Sequence, residues 1–219
     1  MFILFLFSMD INKIKSFAEE VFSKSRGSHD WEHTLRVYNL CMHIGKKENA
    51  NLDVLQVSAF LHDIARHEQD SSGGKICHAE KGAQDSKIIL KDFDFSDDFI
   101  EEVVHCIETH RFRNSKEPFS KEAKILFDAD KLDSIGAVGI GRAFLFSGEI
   151  GAKLHNKNVD VYNTEEYTIE DTAYREYLAK LKHVKGKILT AEGKRIAEER
   201  HAFMEEFFNR LNDEVDGNI

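Results

Sequence analysis

The stretch "SAFLHDIARHE", Ser58–Glu68, sets an imidazole beside a carboxyl group, His62 and Asp63, inside an apolar run. A carboxylate buried without a partner costs several kcal/mol, so Asp63 needs company from elsewhere in the chain. Three other positions offer it. His33 falls on the line of Val37, Leu40 and Ile44, His110 extends the stripe of Val103, Val104 and Ile107, and Asp130 follows Ala123, Leu126 and Phe127 at helical spacing. Ligand-type side chains on several helices that point to one core are the pattern of a metal held in a helical bundle. Each residue also has a plainer reading. A single His on an apolar face is commonly a packed core residue, an Asp at a helix end is commonly a cap, and periodicity does not choose among Asp128, Asp130 and Asp133.

The elements that must position these groups are helical by pattern. A first helix is expected from Ile11 to Phe22, a second from Ser28–Asp30 to Gly45, and a third from Asp53 through Ile64. "DSSGGK", Asp70–Lys75, reads as a loop. A fourth helix runs from about His78 to Lys91, a fifth carries Phe99 to Ile107, and a sixth follows Pro118. "DSIGAVGIGRAFLFSGEIGAK" is rich in glycine yet keeps an apolar helical period; it matches neither the GxGxxG turn nor a GK[ST] loop, so no nucleotide cradle is expected there. Ser147–Thr168 reads as irregular, and two further helices fill Ile169–Leu211. The expectation is a single all-α domain over 1–219, with a core at about 28–145 and C-terminal helices at about 166–212 packed on it.

The totals agree with this. The chain has 219 residues, 42% of them hydrophobic, with 17 Phe and a single Pro, which suits a helical domain with a sizeable core. A formal charge of -9 disfavours a broad nucleic-acid footprint, so an anionic ligand must be met by local cations. Three scattered cysteines without a CxxC pair imply neither a zinc ribbon nor a disulfide framework, and a reducing cytoplasm is the expected setting. The apolar start "MFILFLF" is short of the about 20 residues that span a bilayer and lacks a basic leader. No membrane association is expected.

The ordered set of His33, then His62–Asp63, then Asp130 in "FDADKLDSIG", with the contexts "SHDWEHTLRV" and "FLHDIAR", resembles the HD superfamily of metal-dependent phosphohydrolases. The similarity covers about residues 28–145. It implies an all-α HD-domain helical bundle in which His33, His62, Asp63 and Asp130 hold a divalent cation (Mn²⁺, Mg²⁺, Co²⁺ or Fe²⁺), one ion rather than two. Some members add histidines that hold a second ion, and His78 and His110 lie where those additions occur. The alternative for them is contact with substrate phosphate. A metal of this kind acidifies its water and polarises a phosphoryl oxygen, so no protein nucleophile is needed. Asp63 and His110 are the candidate catalytic groups that handle the proton, and Asp133 is a candidate to orient water or a ligand. Substrate contacts are expected from His29, Arg36, His78, Lys81 and Lys131, with Arg111 and Arg113 as further cations near the motifs; each also reads as part of a solvated helix face. "HDWEHTLRV" with "DADKLDSIGAVGIGRAF" looks like a subgroup that releases pyrophosphate from nucleoside triphosphates. The implied function is therefore conversion of a (deoxy)nucleoside triphosphate to the monophosphate. A 5'-nucleotidase, a cyclic-nucleotide phosphodiesterase and a non-catalytic nucleotide-binding module are the alternatives. The partner is a small phosphorylated molecule, and the apolar final helix is compatible with a homodimer.

Overall fold

The computed structural model describes residues 2–23, 30–111 and 116–219. Among these every regular element is helical and no strand occurs: α1 (Phe2–Phe22), α2 (Trp31–Glu48), α3 (Leu52–Leu61), α4 (Arg66–Ser71), α5 (His78–Asp92), α6 (Asp97–Thr109), α7 (Lys121–Asp133), α8 (Gly136–Glu149), α9 (Ala173–Ala179) and α10 (Ala191–Val215), with single 3-10 turns at Leu181–His183 and Lys185–Lys187. The all-α fold expected from the apolar periods is thus the observed one. Among the described residues no helix is long and apolar enough to cross a membrane.

Short polar side chains start these helices where the backbone leaves N–H groups without an intrahelical acceptor. Asp30 accepts from the His33 N–H at 3.0 Å and so fixes the first turn of α2, which carries His33 itself. Asn51 accepts from the amides of Asp53 and Val54 at the head of α3, and Ser96 accepts from that of Phe99 at the head of α6. Two boundaries differ from the periodic expectation. Helix α1 begins at Phe2 rather than Ile11, since no Gly or Pro interrupts the apolar run before it. The third helix stops at Leu61, and residues 62–65 turn into α4. Neighbours on a regular helix point about 100° apart, so leaving the helix here lets both members of the His62–Asp63 doublet face one centre.

The chain divides into two compact units, one ending at Asp130 and one beginning at Lys131, so that the division falls within α7. In the first unit α2, α3, α6 and α7 bury a core of Val37, Cys41, Ile44, Leu55, Phe60, Leu61, Ile100, Val103, Ile107 and Leu126. Aromatic rings line its edge, with Trp31 and Tyr38 both against Phe60 at centroid distances of 6.0 and 5.0 Å. The second unit is built on Phe144, Tyr174, Tyr177 and Phe208; Tyr177 and Phe208 stack at 4.5 Å. Its long connection into α9 is held by Arg175, which donates to Asp171 and to the carbonyl of Thr164, both at 2.7 Å.

The glycine-rich segment forms the ordinary helix α8. Its glycines serve packing unequally. A methyl group at Gly139 would collide with the carbonyl oxygen of Ser134, whereas one at Gly141 would meet nothing within 4 Å. Gly139→Ala is therefore expected to destabilise the protein by about 1–3 kcal/mol through overpacking against backbone, and Gly141→Ala to stabilise it by about 0.5–1 kcal/mol through helix propensity. Urea unfolding of the two variants beside the parent checks both signs.

Candidate metal centre

Five polar side chains of the first unit are almost wholly buried together: His33, His62, Asp63, His78 and His110. His33 comes from the first turns of α2, His78 is the first residue of α5, and His62 and His110 are the C-cap residues of α3 and α6. Asp63 follows in the turn after α3 and lies at the middle. Its Oδ2 stands 3.8 Å from His33 Nε2 and 3.7 Å from His62 Nε2, while its Oδ1 stands 2.9 Å from His78 Nε2 and 3.6 Å from His110 Nε2. One carboxyl group thus serves two imidazole pairs, one with each oxygen. Asp130, on α7, brings Oδ1 to 3.6 Å from His33 Nε2, and its side chain is 16% exposed where that of Asp63 is 3%. The cluster is consequently open on the Asp130 side.

Ring orientation decides what this cluster binds. His62 Nδ1 lies 2.8 Å from the carbonyl oxygen of Ala59, and His110 Nδ1 lies 2.6 Å from that of Ile107. A carbonyl oxygen only accepts, so each Nδ1 carries the proton and each Nε2 keeps a lone pair turned inward. Yet the Nε2 atoms of His33 and His62 are 3.3 Å apart, and those of His78 and His110 are 3.1 Å apart. Between His78 and His110, whose Nδ1 atoms both face an acceptor, lone pairs held that close inside a protein repel unless positive charge lies between them. Donors at 2.0–2.2 Å from one ion, 90–109° apart, stand about 2.9–3.5 Å from each other, so both spacings are those of a coordination shell. Imidazole with carboxylate suits Mn²⁺, Fe²⁺, Co²⁺ or Zn²⁺ in an open site. The residues present fit a divalent cation at His33, His62, Asp63 and Asp130, and a second at Asp63, His78 and His110.

Burial lowers the pKa of His78 to about 4, against the pull of the Asp63 carboxylate beside it, so its ring is neutral and able to ligate at pH 7. The cysteines take no such part. Burial pushes the Cys106 thiol up to about 12 and the Cys41 thiol well above its ordinary value, which leaves both protonated and poor as ligands or nucleophiles.

The remaining expected residues fall as follows. Of the three acidic neighbours on α7, Asp130 is the one whose carboxyl reaches His33; Asp128 is fully buried. Asp133 belongs to the second unit and is buried against Arg142, whose Nη1 donates to its Oδ2 at 2.6 Å. Lys131 is half-buried in that same unit, and Arg36 is half-buried on α2 one turn past His33. Lys81 is gripped by Asp85 at 2.5 Å and approaches Glu68 at 3.7 Å. His29 and Arg113 lie outside the described residues. One residue that periodicity gave no means of finding is Gln69 on α4, whose Oε1 is 2.9 Å from His78 Nδ1 and accepts from Arg111 Nη1 at 2.7 Å.

The depressed pKa of His78 has a consequence for stability. Its imidazole stays neutral in the fold while the unfolded chain takes up a proton below the ordinary value near 6.5, so the unfolded state binds more protons as pH falls. In EDTA the protein should lose about 2–3 kcal/mol between pH 6.5 and 4 on this account. Urea midpoints across that range should show the decline, and His78→Gln should flatten it.

The sequence matches the HD domain family over residues 30–135. YpgQ of Bacillus subtilis is 32% identical over 209 residues, covering 94% of this chain and 93% of its own. The crystal structure of YpgQ in complex with ADP superimposes with a TM-score of 0.74 at 28% identity, over 95% of this chain and 96% of that one. A protein of an uncultured Thermotogales bacterium, described as a predicted HD superfamily hydrolase, gives a TM-score of 0.68 at 28% identity over 93% of this chain and 92% of its own. With its helical fold, its buried His–Asp cluster and these relatives, the chain belongs to the HD domain family.

Proposed function

We propose that the protein is a metal-dependent phosphohydrolase acting on nucleotides, with a (deoxy)nucleoside triphosphate as substrate and the monophosphate and pyrophosphate as products. The observation that carries this reading is the single buried carboxyl group of Asp63, with Oδ2 towards His33 and His62 and Oδ1 towards His78 and His110. That arrangement favours two cations over the single ion expected from the sequence. Bound there, divalent cations supply an acidified water and electrophilic contact to phosphoryl oxygens.

The chain's own groups supply the rest. Water attacks the α-phosphorus, so a new P–O bond forms as the bond from that phosphorus to the oxygen bridging the α- and β-phosphates breaks; pyrophosphate leaves intact, and the protons of the water pass to the products and solvent. His33, His62, His78 and His110 would hold the cations, with the Nδ1 protons of His62 and His110 fixed by backbone carbonyls. Asp63 acts through both oxygens at once. Asp130 completes the His33 side at the open edge, where a phosphate group enters. Arg111, whose Nη1 lies 3.3 Å from His78 Nδ1, brings cationic charge to the His78 side of the cluster. A nucleotide ligand is supported by the ADP complex of YpgQ and by the resemblance in the "DADKLDSIGAVGIGRAF" segment.

The test is an assay of the full chain with Mn²⁺, Co²⁺ or Mg²⁺ against nucleoside tri-, di- and monophosphates and a cyclic nucleotide. Pyrophosphate and monophosphate should appear in equal amounts from triphosphates and vanish with EDTA. Asp63→Asn should fold and yet lose at least about a hundredfold in activity, because both ligand sets lose their shared member. Phosphate release from monophosphates alone would make the protein a nucleotidase; background turnover with every cation would make it a binding module. Saturating Mn²⁺ should also raise the Tm of the parent and not that of Asp63→Asn, since a ligand that binds only the folded state stabilises it.

A further inference from the structure

His62, His78 and His110 each have a neighbour that sets which nitrogen carries the proton, and the device for His78 differs from the other two. His62 and His110 sit at helix C-termini, where backbone carbonyls are left over to accept from Nδ1. His78 is the first residue of α5, and a helix N-terminus presents only N–H groups. Among the described residues no backbone carbonyl accepts from its ring, and Cys77 at the N-cap makes no side-chain hydrogen bond to the helix. The acceptor comes instead from Gln69. Its Oε1 lies 2.9 Å from His78 Nδ1, 3.4 Å from the His78 backbone N, and 2.7 Å from Arg111 Nη1.

Arg111 fixes the sense of this amide. A guanidinium only donates, so the Gln69 atom facing it must be the carbonyl oxygen and not the NH₂ group. With Oε1 so placed, His78 Nδ1 must be the protonated nitrogen, and Nε2 keeps its lone pair towards Asp63 Oδ1 at 2.9 Å and His110 Nε2 at 3.1 Å. The same oxygen holds the guanidinium beside the ring, with Arg111 Nη1 3.3 Å from His78 Nδ1. From this geometry we infer that Gln69 is a positioning residue that, through one carbonyl oxygen, sets His78 to ligate a cation and sets Arg111 to meet a phosphate oxygen of the substrate. The inference rests on the reading of the cluster as a two-cation phosphohydrolase centre. It makes one α4 residue answerable for both halves of the task, cation binding and anion recognition.

Two variants of the full chain separate the halves. Gln69→Leu removes the acceptor; Gln69→Glu keeps an acceptor for His78 but gives Arg111 a carboxylate that competes with phosphate. The readouts are Mn²⁺ binding by calorimetry after EDTA treatment and desalting, then binding of inorganic phosphate to the Mn²⁺-loaded protein. The parent should take up two Mn²⁺. Gln69→Leu should weaken one of them about 10–100-fold, the usual cost of losing a partner behind a ligating histidine, and leave the other unchanged. Gln69→Glu should bind both Mn²⁺ as the parent does while losing about tenfold or more in phosphate affinity, the scale of one charge-assisted hydrogen bond. A purely structural role for Gln69 would not divide the two readouts in this way. Should Gln69→Leu fail to fold, Gln69→Glu decides alone, and unaltered phosphate affinity in it overturns the inference. Parent-like binding of both Mn²⁺ and phosphate by Gln69→Leu overturns the role of Gln69 and leaves the two-cation reading intact. A parent that takes up no Mn²⁺ at all overturns that reading and the inference with it.

Discussion

Ligand atoms crowded together in a buried cluster are the constraint around which the first unit is organised. The Nε2 atoms of four imidazoles and both oxygens of Asp63 are packed at separations of 2.9–3.8 Å, on side chains almost wholly withdrawn from solvent. Such an arrangement is costly as a core and favourable as a coordination shell. The surrounding structure shows the cost being contained. Asp30 pins the head of α2, the doublet leaves α3 before the helix would turn Asp63 away, and carbonyls at the ends of α3 and α6 hold two rings from behind.

Much of this was legible in the residues and some was not. His33, His62, Asp63 and Asp130 stood out because each interrupts or extends an apolar stripe, and a polar group on a buried face demands an explanation. The all-α architecture followed from long breaker-free periods. The end of α3 at Leu61 was hidden, because Ile64 and Ala65 continue the apolar pattern through the turn that follows. Periodicity did not choose among Asp128, Asp130 and Asp133, since all are inward or nearly so; the resemblance singled out Asp130, and in the fold that carboxyl group stands 3.6 Å from His33. Gln69 was hidden for a further reason. It precedes a stretch whose Ser and Gly content marks a loop, and a single amide has no periodicity to betray what it accepts.

The cations of the sequence were less informative than its ligands. Lys81 looked placed for phosphate by its position after His78, yet it is drawn to Asp85 one turn along its own helix. Arg111, adjacent to His110, is tied instead to the cluster through Gln69. The contrast follows from reach: a flexible ammonium takes the nearest carboxylate, while a planar guanidinium is aimed by whichever acceptor fixes its fork.

The placement of His62 and His110 as helix C-caps carries one more consequence. The ends of α3 and α6 from which these rings hang are the electronegative ends of two peptide dipoles, and both abut the same centre. The heads of α2 and α5, which carry His33 and His78, bring electropositive ends to the same place, so the four helix ends oppose one another and the attraction for a cation rests on the side chains rather than on the main chain.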